Sequence, residues 1–413
     1  MFESFSIIFT ISALFNFINY KWFKLPTTIG LLILSLILIM LITLSQTIIP
    51  GFYKFFCNII VNADFKTLLL DGLLSFMLFA GALHVNIGAL AKEKKSILLF
   101  ATISVLISTF IVGGLIYYAS KLVGLELQLI HALLFGALIS PTDPIAVMAI
   151  LKKANISKSL GIKIEGESLF NDGIGVVVFS GILLIANATG KNNQSEISRE
   201  IGSLFLEEAI GGLIYGLIIG YIGLQFIKSL KNNPHLSVIM SLAIVIGGYA
   251  GASILHVSGP LAMVVAGILV GNKININDNK NDVQKALNEF WEILDDIFNG
   301  ILFVLIGLAI HLLNFNKTYL ILGIIAITIV LFARVISVLL PYSLLKHEES
   351  KPLKTIAILS WGGLRGGISI ALALSLSDAL SGELILYITY VVVLFSIIVQ
   401  GLSIGYIVKK IYS

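Results

Sequence analysis

Charge is scarce in this chain. Only 12% of its 413 residues are Asp, Glu, Lys or Arg, against roughly 25% in soluble globular domains. That scarcity excludes an ordinary water-soluble fold. Cysteine is almost missing as well. Cys57 is the single one, so an internal disulfide and a cysteine-based metal cluster are both excluded. The histidines do not cluster: His84, His131, His256 and His311 lie far apart and read as packed or interfacial groups rather than a pH sensor. Long polar segments are lacking too, since the longer connections, 189–200 and 272–285, are too short to be domains. No nucleic-acid module, cofactor motif or soluble catalytic domain can be recognised. The start lacks a basic region ahead of its first apolar run at Phe5, which predicts a membrane helix there and no cleaved signal peptide.

Apolar sequence is what remains: 57% of the residues are hydrophobic. Long apolar runs with short polar gaps predict an all-α polytopic membrane protein, because helices satisfy their backbone groups without water. Thirteen spans are expected, near 5–21, 28–49, 67–88, 96–119, 128–151, 161–187, 201–228, 236–256, 258–271, 289–312, 318–345, 354–376 and 382–408. The ninth is short and predicts a tilted or irregular helix. Only 409–413 follow the last span, which predicts no cytoplasmic regulatory domain after it. Of the 27 basic residues, 19 fall in connections after odd-numbered spans and 6 on the opposite side, while Arg334 and Arg365 lie inside spans. Cytoplasmic loops carry the excess of Lys and Arg. The N-terminus is therefore expected outside and the C-terminus in the cytoplasm of a cell membrane.

Two spans carry helix breakers. Pro141 and Pro144 interrupt span five; Gly362, Gly363, Gly366 and Gly367 surround Arg365 in span twelve. Proline removes a donor and glycine weakens a helix. Breaks seven spans apart predict two inverted six-span repeats, 1–187 and 236–408, joined by a linking helix at 201–228, within a single transmembrane domain over 1–413. Broken helices at matching places of inverted repeats point to a substrate site near the bilayer midplane.

Two polar clusters stand in this apolar setting, Ser140 to Pro144 and Gly166 to Gly173. An intramembrane charge is disfavoured by at least ~2.5–3.5 kcal/mol on insertion scales, so these clusters mark the working site. Asp143 lies roughly 12 Å from the inner end of span five and Asp172 roughly 14–20 Å into span six, at 1.5 Å per residue. Both reach a similar depth. Glu167, Ser168, Asn171 and Asp172 are three or four apart and are expected on one broad helical face. With Thr142 and the freed carbonyls of span five, they offer an oxygen shell suited to a small hard cation. An uncompensated carboxylate there can hold a proton or a cation, not both at once. That is the minimal chemistry of a cation/proton exchanger. Two other functions fit less well. A passive cation channel could use the same scaffold. An intramembrane aspartyl protease would share a proton between two aspartates, but Asp172 is followed, not preceded, by Gly-x-Gly, and Asp143 is locked between prolines.

The segments SPTDPIAV, GESLFNDGIGVVVF, SGPLAMVVAGILVG, FARVISV and WGGLRGGISIALALSL resemble the NhaP-type sodium/proton antiporters, the Asn-Asp branch of the monovalent cation:proton antiporters. The resemblance spans nearly the whole chain. It implies thirteen helices in two inverted repeats, with crossed, broken helices in a core domain near 96–187 and 318–408. It also implies an interface domain that forms a homodimer, and elevator-like alternating access. On this chain it makes Asp172 the ion- and proton-binding carboxylate and Asn171 the neutral partner of electroneutral exchangers, hydrogen-bonded to Asp143. Thr142 and Ser168 would join Asp172 in ligating Na⁺ (or Li⁺ or K⁺). Glu167 would pair with Arg334 as a structural ion bridge, with Arg365 as the alternative partner. Arg365 would tune helix ends and pH response. Asp143 serves either as a ligand or as a brace for the broken helices. The transported ions are the only small molecules implied, with no cofactor and no enzymatic activity. Many relatives carry an acid in mid-span three, where this chain has Ala80 and Gly81; its nearest acid is Asp71. Glu292, Asp295 and Asp296 are expected to form a solvated entrance face on span ten.

Overall fold

The structure is a computed structural model. It describes residues 2–61, 67–143, 147–148, 158–188, 206–230, 233–274, 282–345 and 352–412. Pro144, the basic residues Lys152 and Lys153, and the connection 189–200 lie outside the described residues.

Among the described residues the chain is helical, as apolar sequence in a bilayer requires. The helices are α1 (Phe2–Ile18), α2 (Thr27–Leu44), α3 (Pro50–Val61), α4 (Leu74–His84), α5 (Ile87–Lys92), α6 (Lys94–Ala101) and α7 (Ile103–Leu122). They continue with α8 (Leu129–Ile139), α9 (Lys158–Ala188), α10 (Gly211–Ser229), α11 (Pro234–Ile254), α12 (Gly259–Ile274) and α13 (Asp282–Leu308). The last are α14 (Lys317–Leu344), α15 (Pro352–Trp361), α16 (Gly367–Leu374), α17 (Gly382–Phe395) and α18 (Gly401–Tyr412). Several begin on asparagine caps, whose side-chain oxygen satisfies the orphan N–H groups of a first turn. Asn86 accepts from Ala89, Asn233 from Leu236, and Asn316 from Thr318 and Tyr319.

Nine helical stretches among the described residues are long and apolar enough to cross a membrane. They coincide with expected spans two, three, four, six, seven, eight, ten, eleven and thirteen. The other four expected spans correspond to shorter pieces: α1, α8, α12, and the pair α15 and α16. Two of these are short because they are broken. The α3 helix was not expected, since its sequence falls in a connection between predicted spans.

Three buried clusters organise the packing. One joins α4 with α10 to α13, around the fully buried Trp291. A second joins α6, the first half of α9, α14, α15 and α18. The largest runs through α2, α7, α8, α13, α14, α16 and α17. The broken helices lie where these clusters meet.

Candidate functional site

The α8 helix stops at Ile139, because Pro141 has no N–H to continue its ladder. From Ser140 to Asp143 the backbone leaves the helix. On the other side α15 stops at Trp361, and Gly362 to Gly366 carry the chain into α16. The two breaks cross. The Asp143 N–H donates to Leu364 O at 2.8 Å, an isolated antiparallel bridge. Glycine is required here by close approach: a Cβ at Gly366 would lie 2.5 Å from Asp143 Oδ2, and one at Gly363 2.5 Å from Arg334 Nε.

Each break leaves helix-end carbonyls without intrahelical donors. Two buried arginines supply the donors. Arg365 Nη1 donates to Ser140 O at 2.5 Å and to Pro141 O at 2.9 Å, so a residue of one break closes the helix end of the other. Arg334, from α14, donates through Nε and Nη2 to Leu359 O at the end of α15, at 3.3 and 3.0 Å. Its Nη1 donates to Glu167 Oε1 at 2.5 Å, and both partners are almost wholly buried. Cations at helix C-termini also match the negative end of the helix dipole. Glu167 thus pairs with Arg334 and not with Arg365.

The four polar residues of α9 do not share one face. Ser168 and Asp172, four apart, look into the cavity described below, whereas Glu167 and Asn171 are buried behind them. The two pairs are offset by one residue, about 100° around a helix of 3.6 residues per turn. Asn171 Nδ2 donates to Thr142 Oγ1 at 2.9 Å, and Thr142 Oγ1 lies 3.1 Å from Ser168 Oγ. The expected partner of Asn171 was Asp143. Instead, the extended break brings the Thr142 hydroxyl over Asn171, while Asp143 is held by its backbone at the crossing.

A cavity of about 480 Å³ opens onto this crossing. Thr142, Asp143, Ser168 and Asp172 line it together. The α4 wall contributes Leu78, Gly81 and His84, so no carboxylate of α4 itself faces the site. The α13 wall contributes Glu292, Asp295 and Asp296, and α9 adds Glu165.

A sequence model described as sodium/hydrogen exchanger, transmembrane, matches residues 7–410. The chain belongs to this family. The sodium/hydrogen exchangers that resemble it include the Na⁺/H⁺ antiporter NhaP of Pseudomonas aeruginosa. That relative is 42% identical over 98% of this chain and 95% of its own length. The antiporter NhaH of Halobacillus aidingensis is 33% identical over 95% of this chain and 93% of its own length. Among solved structures, the sodium proton antiporter MjNhaP1 of Methanocaldococcus jannaschii has the same fold. Its TM-score is 0.75 at 22% identity, covering 98% of this chain and 97% of that one. The family is one of multi-pass membrane transporters, not of enzymes.

Within this exchanger-family chain, sequence reasoning passed over one lining residue, Glu165. It stands three before Ser168 and seven before Asp172, the repeat of a single helix face. The same spacing would have separated Ser168 and Asp172 from Glu167 and Asn171. For the acids of α13 the sequence predicts a solvated entrance face. They line the same cavity as Asp172, a relation between distant segments that no local spacing reveals.

Proposed function

We propose that this chain is a secondary antiporter that exchanges Na⁺ for H⁺ across a cell membrane, with the two ions competing for Asp172. One observation carries the reading. The crossing holds three carboxylates, Asp143, Glu167 and Asp172, against two guanidiniums, Arg334 and Arg365. Glu167 is paired with Arg334, and the Asp143 backbone bonds to Leu364, the residue before Arg365, whose guanidinium lies at the carbonyls of Ser140 and Pro141. With Glu165 and the α13 acids of the cavity wall set apart, a net charge of one minus remains at the crossing; Asp143 and Asp172 both line the cavity, and we assign the exchanging charge to Asp172. One proton or one Na⁺ neutralises that charge, so exchange is one for one and electroneutral. Thr142 and Ser168, whose hydroxyls adjoin each other, complete an oxygen shell with Asp172, as a small hard cation prefers. Asn171 serves this shell by donating to Thr142, which leaves a lone pair of that hydroxyl for the ion. Asp143 braces the crossing.

In this reading the thirteen spans form two inverted repeats, and the crossed breaks move with the core domain. The interface domain holds a homodimer. The basic-residue count supports a cytoplasmic C-terminus, and on that orientation the acid-walled cavity is the inward mouth. The family's relatives named as Na⁺/H⁺ antiporters support the choice of ions.

The test is proton movement in sealed proteoliposomes after addition of Na⁺, wild type beside Asp172→Asn. Sodium-driven proton flux that is lost in the variant is the expected result. Flux that persists in Asp172→Asn would move the site elsewhere. Conductance at fixed pH would indicate a channel.

A further inference from the structure

The two guanidiniums flank a second, much smaller cavity of about 10 Å³, lined in part by Arg334, Ser360, Arg365 and Gln400. This is about the minimum space that admits one water molecule. Two of its lining residues carry polar atoms, Arg365 Nη2 and Ser360 Oγ, that are buried and have no hydrogen-bond partner among the described residues. Arg365 is 2% exposed, and its Nη1 is occupied by the carbonyls of Ser140 and Pro141. Arg334 differs, since Nε, Nη1 and Nη2 all have acceptors. A buried guanidinium nitrogen cannot shed its charge and needs an acceptor. An unmet charged donor is among the most unfavourable defects an interior can carry.

We propose that this cavity is the binding site of one ordered water, which accepts from Arg365 Nη2 and hydrogen-bonds to Ser360 Oγ. Water fits on both counts. It supplies the acceptor that Arg365 needs, and the serine hydroxyl can either donate to it or accept from it. A halide would also accept two donors, but it is larger than the space and adds a charge. The water completes a chain across the crossing. Arg365 holds the end of α8, the water links Arg365 to Ser360, and Ser360 lies in the last turn of α15. The ends of both half-helices are thereby joined through polar contacts independent of the Asp143–Leu364 bridge.

A cryo-EM map of the wild-type protein in lipid nanodiscs, at a resolution that shows ordered water, is the direct test. The expected result is one peak within hydrogen-bond distance of Arg365 Nη2 and Ser360 Oγ. An empty cavity overturns the proposal, and so does a bromide anomalous peak at that place in crystals grown with bromide. X-ray radiolytic labelling gives a second readout, because radicals formed at a held water modify its neighbours. Labelling of Phe395, which also lines the cavity, is expected in the wild type. It should fall to background in Ser360→Val, which fills the space with methyl groups. Equal labelling of Phe395 in a folded Ser360→Val protein would contradict a water held there. If that variant does not fold, the wild-type map alone decides.

Discussion

Asn171 and Asp172 are neighbours in sequence, yet one is sealed behind the site and the other opens into it. In the proposed site Asn171 acts by orienting Thr142, to which it donates. Replacing it with alanine removes the donor at 2.9 Å, and a net hydrogen bond contributes ~0.5–1.5 kcal/mol. Asn171→Ala is therefore expected to raise the apparent KM for Na⁺ several-fold while exchange stays electroneutral, as measured by Na⁺ titration of vesicle flux. The buried pair of Glu167 and Arg334 has a different signature. Arg334→Ala leaves a carboxylate buried without its partner, and such a loss costs ~3–5 kcal/mol. The double variant Glu167→Gln with Arg334→Met should lose less stability than Arg334→Ala alone in thermal unfolding. That Glu167, Asp172 and Arg334 stand out was legible in the sequence, because a charge inside a bilayer needs a reason to be there; the pairing of Glu167 with Arg334 was implied by the family resemblance alone. The partner of Asn171 was not legible, because it depends on how the break after Pro141 turns.

At the scale of the element, the breaks themselves were readable, from Pro141 on one side and the glycines around Arg365 on the other. That the broken helices cross was implied by the family resemblance, but that they meet at Asp143 and Leu364, with Arg365 closing α8, was not readable, because residues more than two hundred apart meet there. Gly366→Ala tests the crossing. Its Cβ would lie 2.5 Å from Asp143 Oδ2, whereas a Cβ at Gly114 in α7 meets nothing within 4 Å. Transport should be lost or strongly reduced in Gly366→Ala. Gly114→Ala should transport normally and be slightly more stable, by ~0.5–1 kcal/mol from the entropy of glycine. Equal behaviour of the two in flux assays would contradict the close approach. The α3 helix shows the opposite limit. Its twelve residues are too few to register as a span, so hydropathy alone passed over it.

At the scale of the molecule, the cavity joins α4, α9, α13 and both breaks. Hydropathy could outline the spans but not which walls would face each other. Glu292, Asp295 and Asp296 lie more than a hundred residues from Asp172 in sequence and share its cavity. A cleft lined by one sign of charge concentrates its counter-ions. Neutralising the three, as Glu292→Gln with Asp295→Asn and Asp296→Asn, is expected to raise the apparent KM for Na⁺ with little change in maximal rate. The gap from wild type should narrow as an inert salt is added, because exposed charges are screened beyond ~10 Å at 0.1 M. An unchanged gap at high salt would mean that these acids touch the ion directly.

In the proposed exchange, Asp172 is the carboxylate of the crossing that either ion neutralises. The most direct measurement is Na⁺-driven proton flux in proteoliposomes with the membrane potential clamped at zero, then inside-positive, then inside-negative. The rate should be the same at all three settings, and Asp172→Asn should show no flux at any of them. A rate that follows the potential would mean that charge moves with each turnover, and the assignment of Asp172 as the single exchanging site would be contradicted.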